Sequence, residues 1–492
     1  MRIIYGLLAV FFLTFASCKP DVKEGEQLAK QYCQSCHLLP SPALLPQNVW
    51  KYSTLPYMAI MLGVSHEIDQ LEKPLSDYAI LRPASQLIPD DDWEKIKEYY
   101  LSESPKELTF PAYAALPVEN SLFSIEDLSV ALPKATIPNF TAVRIDSKKH
   151  QIIAGDQSNR VIWLLDVQGK PLKQLENQDA LTYVEPWKGQ YLFTFIGTTT
   201  QANPDVNGSV QVYGGDSPTS LIKGLNRPIE LKAFDLNGDG QEELISSEFG
   251  FKEGGMTVWA KQGKTWNKQV LNPQTGATHV DVRDFDGDGR LDIVALFAQG
   301  DERIMLYTNK GGLKFEERML LRFPSIYGTS SFDMGDVDAD GDWDIVCTAG
   351  DNADFSTILK PYHGVYVYTN QGQMRFKQQA FYAQNGATKV MLADVDQDGD
   401  LDMLSIALFP DVEKRPAEGL IYFKNTGKQF AQMTIPVNHL GRWSVMDIAD
   451  IEGDGDLDVV LGSHAVAKFP AGAFDPAWKT AKGILILRNK MK

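Results

Sequence analysis

Five short acidic loops recur along this 492-residue chain and restrict it to folds that repeat one β unit many times. Position one, three, five, seven and nine of the loops are Asp235, Asn237, Asp239, Gln241 and Glu243; Asp284, Asp286, Asp288, Arg290 and Asp292; Asp336, Asp338, Asp340, Asp342 and Asp344; Asp394, Asp396, Asp398, Asp400 and Asp402; and Asp450, Glu452, Asp454, Asp456 and Asp458. Position six is always glycine, and successive loops start about 49 to 58 residues apart, which is the spacing of propeller blades. An alternating segment such as 278–282 or 389–393 precedes each loop and an apolar run such as 291–296 or 457–461 follows it. The loop therefore joins two strands.

Oxygen donors at positions one, three, five and nine, with the backbone carbonyl of position seven, suit Ca2+, which takes several hard ligands. An EF-hand is excluded, because it needs glutamate at position twelve, where these loops carry Ser246, Ala295, Cys347, Ser405 and Leu461. The loops resemble the FG-GAP or VCBS repeats of integrin-like β-propellers, and the resemblance covers about residues 110–492. It implies about five Ca2+ ions, which would bring the formal charge from −17 to about −7. Segments 140–146 with 151–155, and 180–184 with 191–195, read as two further blades without the acidic loop, making seven. Blades are expected to end in apolar strands such as 255–259, 303–307, 364–368, 419–423 and 483–487. The last of these runs out of chain, so an outer strand from 122–132 is expected to close the ring.

The front of the chain carries a different signal. Cys33, Cys36 and His37 form a Cys-x-x-Cys-His run, a c-type haem attachment motif: two thiols one helical turn apart, then a histidine to ligate the iron. A zinc site would need a second cysteine pair, and no thioredoxin-like βαβ pattern surrounds the motif. Helical patterns at 24–32 and 90–101 flank a proline-rich stretch and the run 55–63. In order these pieces resemble a class I cytochrome c over about residues 22–106. The resemblance implies a methionine opposite His37, with Met58 favoured for its place after Leu55 and Pro56, and Met61, His66 or an open position as alternatives.

Near the N-terminus, an apolar run from Ile3 to Phe15 and the pair Ala16 and Ser17 lead to Cys18. This resembles a bacterial lipoprotein signal, which implies acylation of Cys18 and a site in the cell envelope. Cys347, inside an apolar strand, is expected to be a buried free thiol. A net charge of −17 without basic clusters excludes nucleic acid as a partner.

The fold class expected is thus multidomain: residues 1–17 a signal peptide, 18–23 a lipid-anchored tether, 24–106 a small all-α cytochrome c domain, and 110–492 an all-β seven-bladed propeller with calcium loops. The function expected is electron transfer by haem c to or from a redox partner protein, with the propeller as a docking scaffold. A first alternative is a haem-coupled dehydrogenase oxidising a sugar or alcohol, for which Asp351, Lys360 and His363 on the loop 350–364 are the candidate catalytic groups. A second is adhesion or glycan capture. His279 and Thr278 lie before a calcium loop, where packing is the expected role.

Overall fold

Turning back at each acidic loop, the chain stacks antiparallel strands into seven four-stranded sheets, as the computed structural model shows. The structure describes residues 20–70, 83–132, 137–201, 203–215, 217–351, 358–427, 429–465, 478 and 480–491. Blades 1 to 6 span 140–176, 181–225, 228–272, 277–322, 329–383 and 387–434. Blade 7 spans 443–489 and takes its fourth strand from Phe123–Asp127, which pairs antiparallel with Ile484–Asn489. The ring is closed by N-terminal sequence, as expected. Because a strand from before blade 1 completes blade 7, the ring cannot open without breaking a sheet.

The two blades without acidic loops form where the sequence places them, at Phe140–Asp146 with Gln151–Asp156 and Leu181–Trp187 with Gln190–Phe195. One expectation about blade ends is corrected. The apolar strands such as Arg303–Asn309 are third strands, and in blades 1 to 6 an outer fourth strand follows each of them. Outer strands such as Phe315–Arg322 and Thr265–Asn272 are mostly exposed, so they lack the apolar signature that marks inner ones. Second strands are the opposite case: Asp292–Phe297, Asp344–Ala349, Asp402–Ala407 and Asp458–Ser463 are buried at every residue, since neighbouring blades cover both faces.

The first strand of each blade lines the axis and has one unpaired edge. Side chains of the neighbouring blade satisfy it. Glu230 accepts from the Val280 N–H at 2.9 Å, Asp447 from Ile145 N–H at 2.7 Å and Asp333 from Leu392 N–H at 2.9 Å. Lys232 and Lys389 donate to the carbonyls of Val280 and Met446 at 2.6 and 2.7 Å. Buried backbone groups must be paired, and these charges do it. Each first strand also carries a bulge after its first residue. The bulged residue is Ser or Thr in all but blade 3, and two of them, Thr182 and Ser444, donate at 3.1 Å to the first residue of the next blade.

The expected fold class is overturned in its first half. The described secondary structure is nearly all β, and no separate small all-α cytochrome domain precedes the propeller. Residues 20–103 contribute a few helices: α1 (Pro20–Tyr32), the single turn α2 (Gln47–Val49), α3 (Leu55–Met61) and α4 (Asp90–Glu103), the longest having 14 residues. α1 and α4 lie where the helical periodicity puts them. Gly25 lets them cross closely, since a Cβ there would lie 2.8 Å from that of Tyr99. Their apolar cluster, built on Trp50, Trp93, Ile96 and Tyr100, also takes in Ile326 and Ile358 of the propeller. The Tyr362 hydroxyl donates to the Leu44 carbonyl at 3.2 Å. So few helices complete their burial only on the propeller, which is why they form an appendage to it. Residues 1–19, with the signal sequence and Cys18, lie outside the described residues.

Strand direction assigns the faces. Acidic loops join first to second strands at one end of the ring, so second-to-third loops and blade-to-blade connections lie at the other. Ile326, Ile358 and Tyr362 belong to that second set. The helices therefore sit on the face opposite the acidic loops.

Candidate metal centres

Every acidic loop is tied from within by its first aspartate. Asp235 accepts from the N–H groups of Gly238, Asp239 and Gly240 at 2.8, 3.2 and 2.9 Å. Asp284, Asp336, Asp394 and Asp450 repeat the bonds to positions five and six at 2.8–3.2 Å. Position five then accepts from the N–H of position seven, as Asp340 does from Asp342 at 2.9 Å. Positions four and six both take positive φ, for example 76° and 85° at Gly287 and Gly289. Position four is Ala339 or Gln397 in two loops, yet the turn is kept.

Three sets of carboxylates converge to within 4.8 Å: Asp284, Asp286 and Asp292; Asp336, Asp338 and Asp344; and Asp394, Asp396 and Asp402. They are positions one, three and nine of their loops. Burial raises Asp344, Asp402 and Asp458 to about 6, the neighbouring loop carboxylates adding to the rise while backbone N–H groups oppose it. Such an oxygen-only, charge-crowded set fits a hard divalent cation. The loops are not equivalent. Lys424 contacts Asp396 and, at 3.0 Å, Asp398; Arg488 contacts Glu452; Arg290 contacts Asp288. In the loop at 235–243, Asn237 replaces a carboxylate and donates to Glu243 at 2.7 Å.

Sequence reasoning missed a residue that recurs with these loops. At Asp292, Asp344 and Asp458, position nine uses one oxygen for the N–H of position two and the other for the N–H of an asparagine ending the third strand, at 2.7, 2.8 and 3.0 Å. Asp402 likewise accepts from Asn425 N–H at 2.7 Å, its other oxygen taking the Tyr422 hydroxyl at 2.9 Å. The asparagine side chain then reaches the previous blade. Asn425 Nδ2 donates to Val337 O at 3.0 Å and Leu401 O at 3.1 Å; Asn309 reaches Leu236 O at 2.7 Å and Asn489 reaches Val395 O at 2.7 Å. Each acceptor is position two of the preceding loop or position eight of its own. The signal was legible as an asparagine after the third-strand aromatics or aliphatics, at 309, 370, 425 and 489. Asn425→Ala is expected to destabilise the protein by about 2–4 kcal/mol, because it strands two buried carbonyls and the Gly427 N–H that Asn425 Oδ1 accepts. Chemical denaturation of the calcium-loaded variant measures it.

At the front, Cys33 and Cys36 follow α1 directly and are free thiols. Cys33 is buried in the helical cluster, Cys36 is exposed and His37 is half-buried. His37 Nδ1 lies 3.0 Å from Leu38 O, a partner that leaves Nε2 for a metal. Burial pushes the Cys33 thiol up to about 12, opposite to the lowered value of a reactive Cys-x-x-Cys pair. Met58 is half-buried against the same cluster, whereas Met61 is 42% exposed. Cys347 is buried and free, as expected.

The loop 350–364 is described except at 352–357. Asp351 is half-buried, while Lys360 and His363 are 4% and 1% exposed. Burial, with the Lys360 ammonium adding, holds His363 well below the ordinary histidine range. Its neighbour Tyr362 stacks on Tyr327 at 4.8 Å. His279 is a packing and pairing residue, 3.0 Å from Glu230 and edge-on to Phe332. Burial raises Glu230, but His279 and Lys232 outweigh it and hold the carboxyl at about 2. On the face that carries the helices, a cavity of about 150 Å³ is lined by Asn203, Asp205, Asn226, Arg227, Lys252 and Glu253 among others.

Residues 235–295 and 284–347 match the FG-GAP-like repeat. No curated protein sequence matches the chain. Among solved structures, a luciferin-regenerating enzyme aligns with a TM-score of 0.37 and 12% identity over 74% of this chain and 94% of its own. A protein assigned as a gluconolactonase aligns with a TM-score of 0.37 and 10% identity over 77% of this chain and 93% of its own. Neither likeness is close enough to carry an argument about chemistry. The chain is a seven-bladed β-propeller that carries FG-GAP-like repeats.

Proposed function

We propose that this protein transfers electrons through a haem c held at Cys33, Cys36 and His37, on a propeller that serves as a calcium-stiffened binding scaffold. The observation that carries the reading is the intact run at the end of α1: two free thiols, one in the apolar cluster and one exposed, followed by a histidine whose Nδ1 lies against Leu38 O and whose Nε2 has no hydrogen-bond partner among the described residues. Bound there, the haem supplies reversible one-electron exchange. The chain's own residues do the rest. Cys33 and Cys36 tether, His37 and Met58 would ligate, and Trp50, Trp93 and Tyr100 exclude water from the cluster wall. The five acidic loops would hold Ca2+ and fix the blades at the far face. Acylation of Cys18 would anchor the protein in a bacterial cell envelope, and a redox partner protein would meet the helical face.

The cavity at Asn203, Asp205 and Arg227 favours a second role, holding a small polar ligand or glycan end on that same face. The dehydrogenase reading has no comparable support, because Lys360 and His363 are buried.

The test is a pyridine haemochrome assay on the full chain produced with haem-attachment machinery. One covalent haem per chain is expected, lost in Cys33→Ser/Cys36→Ser. A wild-type chain that carries no haem under those conditions would refute the reading.

A further inference from the structure

We propose a site for a zinc-like divalent ion at His66, Glu67 and Glu94, where the segment after α3 meets the first turns of α4. One donor atom of each lies within 4.8 Å of the others. His66 Nε2 is 3.5 Å from Glu94 Oε1 and 3.8 Å from Glu67 Oε1, while its Nδ1 faces Asp90 at 3.9 Å. A metal-binding histidine likewise turns one ring nitrogen toward the ion and the other toward a carboxylate, here Asp90, which stands beyond hydrogen-bond distance.

Carboxylates at a helix start are common without metal, since the helix dipole favours them, and this accounts for Asp90 and Glu94. It does not account for Glu67. That side chain is fully buried, yet only Oε1 is paired, receiving the Trp93 indole N–H at 3.2 Å and the Lys97 ammonium. Oε2 has no hydrogen-bond partner among the described residues. An unpaired buried carboxylate oxygen is costly, and a cation that Glu67 held through both oxygens would remove the cost. Lys97 is the competing explanation, because it also bonds Glu94 at 2.9 Å. One ammonium against Glu67, Glu94 and Asp90 still leaves two negative charges, which a divalent ion neutralises. The imidazole donor selects a borderline metal such as Zn2+ over Ca2+, which takes oxygen. Three protein ligands leave a position for water. An ion here would pin residues 65–70 to α4.

The test titrates ZnCl2 into the full chain in excess Ca2+, so that the acidic loops do not compete, and follows binding by calorimetry. His66→Ala and Glu94→Gln alter exposed side chains and leave Cys33, Cys36 and His37 untouched, so any zinc they lose belongs to this cluster. Each is expected to lose one equivalent or weaken it at least tenfold, and Lys97→Ala is expected to tighten it. Zinc binding of unchanged stoichiometry and affinity in His66→Ala, or no binding by wild type, would overturn the proposal.

Discussion

Chelation at neutral pH is expected to strip five Ca2+ ions and lower the melting temperature by more than about 10 °C. Each site filled at about 100 times its dissociation constant contributes about 2.7 kcal/mol, so five contribute on the order of 10 kcal/mol. For a chain this long, each kcal/mol moves the midpoint by roughly 2 °C or somewhat less. The backbone of each loop is already tied by its first aspartate, so the ion has little to organise. What it relieves is the crowding of carboxylates such as Asp336, Asp338 and Asp344. The pH dependence has a definite sign. In the chelated protein, Asp344, Asp402 and Asp458 titrate near 6, above their ordinary value of 3.8. A raised folded-state value gives stability that is full below about pH 4 and lost as pH rises through 6. The chelated protein should therefore melt lower at pH 7.5 than at pH 5, and the gap to the loaded protein should widen over the same range. Scanning calorimetry with and without EGTA, beside elemental analysis, measures both. Equal midpoints and a metal-free protein would remove calcium from the account.

Replacing Met58 with alanine is expected to lower the reduction potential of the haem-loaded protein by on the order of 0.2 V, within the roughly 0.8 V that axial ligation spans. A thioether opposite histidine raises the potential, and its loss leaves that position to water or a weaker ligand. Met58 is chosen over Met61 by packing. Met58 is half-buried against the cluster that contains Cys33, while Met61 on the same helix is largely exposed. Met61→Ala should therefore leave the potential within a few hundredths of a volt. Spectroelectrochemistry on both variants decides, and the reverse pattern would assign Met61.

What could be read from sequence was whatever local chemistry writes in a short window. The acidic loops are legible because a tight turn with converging oxygens needs Asp at fixed spacing and glycine at position six, and their period supplied seven blades and the closing strand at Phe123–Asp127. The run of Cys33, Cys36 and His37 is legible for the same reason: its thiols and histidine are contiguous. Tertiary structure alone decided the rest. Outer strands such as Phe315–Arg322 are half solvated, so their pattern resembles that of a loop. The helices of 20–103 look like a free-standing domain in sequence, but Ile326, Ile358 and Tyr362, more than 200 residues away, complete their burial. His363 reads as a reactive group until the packing of blade 5 buries it. The roles of Asn309, Asn425 and Asn489 depend on carbonyls of a neighbouring blade 73 to 94 residues earlier. Spacing within a loop records bonds between near neighbours; contacts between blades leave only a recurring residue, whose partner the fold must supply.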